Sequence, residues 1–195
     1  MNNRAVPTRL RRELRFSKSK IANNLSQANL DFTAIKPLTE AFMSSNGLLG
    51  LYGSELLLLE KALGLSGGEL AVDLVGELIS VKKVPPGTGV SYGYLSRTAE
   101  TTNLGLIAIG FSDGIPRSAT NHFQVGIEQT NYSGLGRIAM DQCVVNLRSD
   151  NPKIGSEVSF FSDKFPLSAW AEVSGFSQLE ILGRITERVA RTWSN

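Results

Sequence analysis

Two rhythms of apolar and polar positions divide the 195-residue chain near Gly68. Ahead of that point apolar positions are weakly periodic and are interrupted by polar stretches such as SKSKIANNLSQAN. This pattern predicts a helix over residues 8–28 and a second over 37–44. NGLLGLYG follows, and then ELLLLEKALG, whose apolar run between Ser54 and Gly64 predicts a short buried helix closed by a C-terminal glycine. Beyond Gly68, short β-branched and apolar runs alternate with turn residues. LVGELISVKKV (74–84), LGLIAIG (104–110), FQVGI (123–127), GRIAM (136–140), CVVNL (143–147) and EVSFF (157–161) predict strands. PPGTG, SDGIP, NYSG, RSDNPKIG and SDKFP predict the turns between them. SAWAEVSG predicts a helix with Ser168 as N-cap and Gly175 past its end, and LEILGRI (179–185) predicts a last strand. Without long helices between the strands, this order points to an antiparallel β domain over residues 69–195, behind a partly helical extension over residues 1–68.

Composition changes this picture little. At 42% hydrophobic and 19% charged residues, the chain is an ordinary globular sequence long enough to bury a core unaided. The single cysteine, Cys143, excludes an internal disulfide framework, and with the lone His122 it cannot complete a closed zinc site. No window reaches the length of a membrane span and no apolar run follows the basic start, so a cytoplasmic location without a membrane partner is expected. Charge is more informative. Residues 1–20 carry Arg4, Arg9, Arg11, Arg12, Arg15, Lys18 and Lys20 against Glu13, which makes +6, while the remainder is −4, for a net +2. With no interleaved aromatics or nucleic-acid motif, the arm is read as a solvated helix or terminus rather than as a nucleic-acid contact.

The usual catalytic signatures are missing: there is no phosphate-cradling glycine loop with its lysine, no HExxH and no GxSxG. Cys143 in an apolar strand reads as core, and His122 in SATNHF reads as a surface residue. Three polar clusters interrupt or end predicted strands: VSYG (90–93), IGFSDGIPR (109–117) and GRIAMDQ (136–142). Each suits a tight strand-end turn. The phenol of Tyr92 is also a candidate general acid or base if a nearby cation lowers its pKa from about 10, and Arg117 and Arg137 are the cations available within the clusters.

VPPGTGVSYG, IGFSDGIPR, GRIAMDQCVVNL, IGSEVSFF and LEILGRITERVAR, taken in this order, resemble the C-terminal β domain of the alanine racemase family, from about Leu48 to Trp193. The resemblance implies a mainly β fold, an antiparallel β-barrel domain of that type behind the N-terminal extension. The family interconverts L- and D-alanine with pyridoxal 5′-phosphate and two bases. One base is a lysine of an N-terminal (β/α)₈ barrel that holds the cofactor; the other is a tyrosine from the partner subunit's C-terminal domain. By motif the tyrosine is Tyr92, the backbone contact to the substrate carboxylate is Met140, and the substrate entrance is formed by Phe111, Arg117, Arg137 and Ile185.

The departures from the family pattern are equally specific. A barrel of roughly 220 to 240 residues, as the resemblance implies, cannot fit ahead of Leu48, and Lys36 lacks the context of the family's lysine motif, VKANAYG. Asn46 and Leu48 stand where the family has an arginine and a small phosphate-contacting residue. Phe111 replaces the tyrosine of IGYADG, Glu187 stands at a tyrosine position near the cofactor phosphate, and Ala190 replaces a proline. The expectation is that this chain alone binds no cofactor. It would act with a separately encoded barrel subunit, or as a homodimer, or else as a non-catalytic binding or interaction domain. The face that packs on a barrel would be bare unless the N-terminal segment covers it or the chain self-associates.

Overall fold

A computed structural model describes residues 10–30, 32–43 and 53–194. The first element, β1 (Glu13–Ser17), buries Leu14 and Phe16 and leaves the three polar residues around them partly exposed. That alternation is the two-residue period of a half-buried strand, so the helix expected over residues 8–28 forms only in its second half. Ser17 ends the strand and caps α1 (Lys18–Gln27), its Oγ accepting the Lys20 amide. α1 turns Ile21 and Leu25, one turn apart, into the core. α2 (Phe32–Met43) begins earlier than the expected 37–44 helix, and α3 (Ser54–Ala62) forms within its expected bounds. Asn46, Leu48 and most of LLGLYG lie outside the described residues.

β2 (Val72–Val84) is the spine of the sheet. Its first half lies between β1 and β9 (Glu157–Phe161), and its second half pairs with β5 (Thr102–Ile107), with a register shift between Leu78 and Ser80. β8 (Cys143–Arg148) extends the sheet beyond β5. β6 (Gln124–Ile127) joins β9 to β7 (Thr130–Ser133). β10 (Ala190–Ser194) lies parallel to β1, whereas every other ladder among the described residues is antiparallel. Among the described residues the expected barrel is not closed: the ladders end at β7 on one side and β8 on the other, and a single bridge, Gly134 to Val145, spans the gap. A separate hairpin pairs β3 (Gly89–Val90) with β4 (Ser96–Arg97).

Two expected strands are corrected. GRIAM forms no ladder, because its backbone is taken up by loops: Ala139 O accepts the Phe111 amide and Met140 O the Ser112 amide. LEILGRI forms α5 (Gln178–Arg184), since Ser177 and Glu180 make a reciprocal capping box and Leu179, Ile181 and Leu182 fit a helical face. α4 (Leu167–Ser174) has Pro166, not Ser168, at its N-cap, and ends as expected at Gly175, whose φ is +75°.

One apolar core runs through these elements, joining Leu14, Phe16, Ile21, Leu25 and Leu59 to Leu74, Phe160 and Leu182. The N-terminal segment from Leu10 onward is thus built into the sheet, and its charges from Arg11 to Lys20 are used there. Arg11 and Arg15 reach Glu157 at 3.5 and 2.8 Å, Arg12 reaches Asp113 at 3.5 Å, and Lys20 bonds Asp163. Lys18 lies over the Trp193 ring. These pairings replace the solvated arm read from charge alone. Among the described residues, no helix is long and apolar enough to cross a membrane.

Candidate functional site

The tip of the β3–β4 hairpin is a 3₁₀ turn, Tyr92–Tyr94, that holds Tyr92 out at 70% exposure. Its backbone is strained. Gly93 has φ +77°, Tyr94 +49°, and Ser91 combines φ +58° with ψ −169°, a region almost reserved for glycine. Such a residue costs roughly 1–3 kcal/mol and needs its surroundings to hold it. The holding contacts are visible: the Ser91 hydroxyl donates to Arg137 O at 2.6 Å, and a Cβ on Gly136 would strike Ser91. Gly89 leaves room for the Tyr94 ring, which would lie 2.5 Å from any Cβ there. The Arg137 guanidinium completes the clamp 5.6 Å from the Tyr92 ring centroid, an interaction worth about 0.5–1 kcal/mol at an exposed site.

Tyr92 borders an open groove of about 550 Å³, shared with Arg117 and the strip Ile138–Gln142 that includes Met140. Three expected site residues, Tyr92, Arg117 and Met140, therefore meet, and Arg137 stands behind the first. Phe111 is adjacent, under the Arg117 guanidinium at 5.9 Å. Ile185 is not at the groove. It is 3% exposed, and its carbonyl accepts the Arg191 guanidinium at 2.6 Å, so it belongs to the core under α5. Burial lowers the pKa of that guanidinium.

Beneath the groove lies a polar device that motif reading took for a simple turn. Asp113, fully buried in the 3₁₀ turn Phe111–Asp113, accepts the Gly110 amide at 2.9 Å. Its other oxygen faces Arg188 at 3.3 Å and Arg12 at 3.5 Å, and Arg188 continues to Asp141 at 2.6 Å. Gly114, with φ +105°, lets this turn sit on Arg184 O, where a Cβ would approach to 2.3 Å. The network links Arg12, the residue ahead of β1, to the strip that carries Met140. A charged residue inside IGFSDG, bounded by glycine and flanked by apolar positions, was the available signal.

The remaining chemistry is limited. Burial, with the Asp113 carboxylate adding to it, pushes the Cys143 thiol up, which leaves it unsuited to nucleophilic work. His122 is exposed. Among the described residues, no cluster of three or more His, Cys, Asp or Glu is arranged for a metal. The groove residues do not fit pyridoxal phosphate: none is a lysine, Asp141 would meet the phosphate with like charge, and Lys36 is exposed on α2, 3.9 Å from Glu40. What the arrangement offers is an outward phenol on a rigid turn, beside two guanidinium groups and a backbone strip, all open to another molecule.

Residues 71–193 match the family described as alanine racemase, C-terminal domain. The alanine racemase of Streptomyces coelicolor is 42% identical over 126 residues, covering 63% of this chain and 32% of that protein. The alanine racemase of Shewanella denitrificans is 33% identical over 143 residues, covering 73% and 39%. Solved structures of alanine racemase from Streptomyces coelicolor A3(2) and from D-cycloserine-producing Streptomyces lavendulae both superpose with a TM-score of 0.64. They are 37% and 36% identical; they cover 71% and 68% of this chain, and this chain covers 36% of each. The chain thus spans about a third of the length of the curated relatives it matches.

Proposed function

Since this chain belongs to the alanine racemase C-terminal domain family, we propose that it supplies the tyrosine base and the substrate entrance to a cofactor-bearing barrel on another chain. The substrate is alanine, interconverted between its L and D forms, and pyridoxal phosphate would be held by that other chain. The observation that carries this reading is the strained hairpin tip. A phenol 70% exposed and clamped by Arg137 is a costly arrangement for an idle surface tyrosine, and it suits a group that works across an interface.

The roles follow from the groove. Tyr92 Oη would take or return the α-proton on one face of the substrate. The Met140 amide would bind the substrate carboxylate, with the Asp113–Arg188–Asp141 network keeping that strip in register. Arg117 and Arg137 would attract the carboxylate end of the zwitterionic substrate at the entrance, with Phe111 as the packing surface for Arg117.

The test is reconstitution. The barrel half of a related racemase, loaded with cofactor, is mixed with this chain, and D-alanine formation from L-alanine is followed. Activity that needs both chains and falls at least a hundredfold with Tyr92→Phe, within the range of general acid–base contributions of about 10²–10⁴, supports the reading. A stable but inactive complex would instead favour a binding or interaction domain. That alternative draws support from the continuous core shared by the N-terminal elements and the β domain, which lets the chain stand without a barrel.

A further inference from the structure

A second cavity, of about 290 Å³, shares no residue with the groove at Tyr92. It lies between α4, the ends of β6, β7 and β9, and the loop ahead of α4. Its floor is aromatic and buried: Phe123 stacks on Trp170 with centroids 5.3 Å apart, and Phe160 tilts against the same indole at 5.7 Å. The Trp170 N–H is already given to Phe160 O at 2.6 Å and the indole is 3% exposed, so it offers the cavity no free donor and only a small part of its ring. Phe165 forms a wall. Its ring lies directly over Gly126, where any Cβ would come within 2.0 Å, so the glycine is what lets the ring lie down.

The rim differs in kind from the floor. Lys164 and Glu172, both exposed and of opposite charge, line the same opening, as do the exposed Gln124 and Asn131. Lys164 is oriented by a hydrogen bond to Gln129 Oε1 at 2.9 Å. Apolar and aromatic lining with a few convergent polar groups is the general form of a small-molecule site. At about 30 Å³ per water-sized group, the space holds roughly ten such groups. Two opposite charges over an aromatic slot complement a ligand with two opposite charges and one planar ring.

We propose that this cavity binds a small aromatic zwitterion, the chemical class of a free single-ring α-amino acid. The ring enters between the Trp170 floor and Phe165, the carboxylate meets Lys164, and the ammonium group meets Glu172. This site is independent of the reading of Tyr92.

The experiment uses the full chain labelled with 5-fluorotryptophan. The sequence holds two tryptophans, so ¹⁹F NMR reads Trp170 in the cavity against Trp193, which packs on Phe16. L-Phenylalanine is titrated to about 20 mM, beyond the millimolar range expected of so small a ligand. The expected result is a saturable shift of the Trp170 resonance alone. Ala169→Phe, which fills the cavity from α4, removes that shift. Lys164→Gln and Glu172→Gln, both surface changes that leave the fold intact, each weaken binding about two- to fivefold, the scale of an exposed ion pair. An unmoved Trp170 resonance, or a shift that survives in folded Ala169→Phe, overturns the site. Benzyl alcohol binding as tightly as phenylalanine, with both charge variants silent, overturns the zwitterion.

Discussion

Replacing Arg12 by alanine strips the buried Asp113 carboxylate of one of its two counter-ions and removes the hydrogen bond from Arg12 Nε to Ala108 O, 2.6 Å long. Asp113 is fully buried, and among the described residues one of its oxygens has no hydrogen-bond partner, only the two guanidinium groups at 3.3 and 3.5 Å. Removing one partner of a buried pair costs about 3–5 kcal/mol when the other charge is left alone. Here Arg188 remains, so about 2–4 kcal/mol is the expected loss. For a chain of this length that corresponds to a fall in Tm of about 5–15 °C, at about 2–4 °C per kcal/mol. Arg12→Ala, Asp113→Asn and the double variant, compared by urea and thermal unfolding, form a cycle. Because Asp113→Asn removes the charge that Arg12 serves, the two changes should couple by about 1–3 kcal/mol. An Arg12→Ala variant within 0.5 kcal/mol of wild type, the ordinary scatter of surface substitutions, would refute the reasoning, as would strict additivity. Either result would mean that the N-terminal strand is not anchored through this carboxylate.

Tyr92→Phe should leave the unfolding midpoint unchanged, within about 0.5 kcal/mol, because its side chain is mostly exposed; a large loss would assign the tyrosine to stability. Ile21→Ala, in a fully buried α1 position, should cost about 2–5 kcal/mol in urea unfolding; no loss would detach α1 from the core. Asp73, half-buried in β2, has its pKa raised by burial against the opposing pull of Lys20. A carboxylic acid whose folded pKa lies above its unfolded value binds protons more tightly when folded, so its stabilising contribution is present at low pH and is lost as pH rises above about 3.9 through the folded value. Asp73→Asn should therefore gain stability relative to wild type between pH 4 and pH 7, measured as Tm at both; an unchanged difference would refute the assignment.

Much of the site is legible in sequence order. VSYG, IGFSDGIPR and GRIAMDQ sit far apart along the chain, yet Tyr92, Arg117 and Met140 share one groove. Ile185 does not, because α5 turns that position inward. The same helix explains the misread strand: LEILGRI is apolar enough for either state, and the arbiter was the capping box between Ser177 and Glu180 just upstream. At β1 the two-residue alternation of ELRFS is short and lies in a basic stretch, so helical continuity into SKSKIANNL outweighed it.

Local sequence determined the turns. Glycine is required where Gly93 and Gly114 take positive φ, and alternating apolar runs fix which face of β2, β8 and β9 is buried. Family membership also resides in those motifs, because they encode the backbone shapes and side chains that the fold needs in order. Tertiary structure alone decided the rest. The parallel pairing of β1 with β10 and the meeting of Arg12, Asp113 and Arg188 join residues more than a hundred positions apart along part of their span. No local periodicity carries that information. The arm that looked like free positive charge became structural because carboxylates on β9, in the turn at Asp113 and in the loop ahead of α4 were brought within ion-pair distance of it, a placement that only the packed sheet supplies.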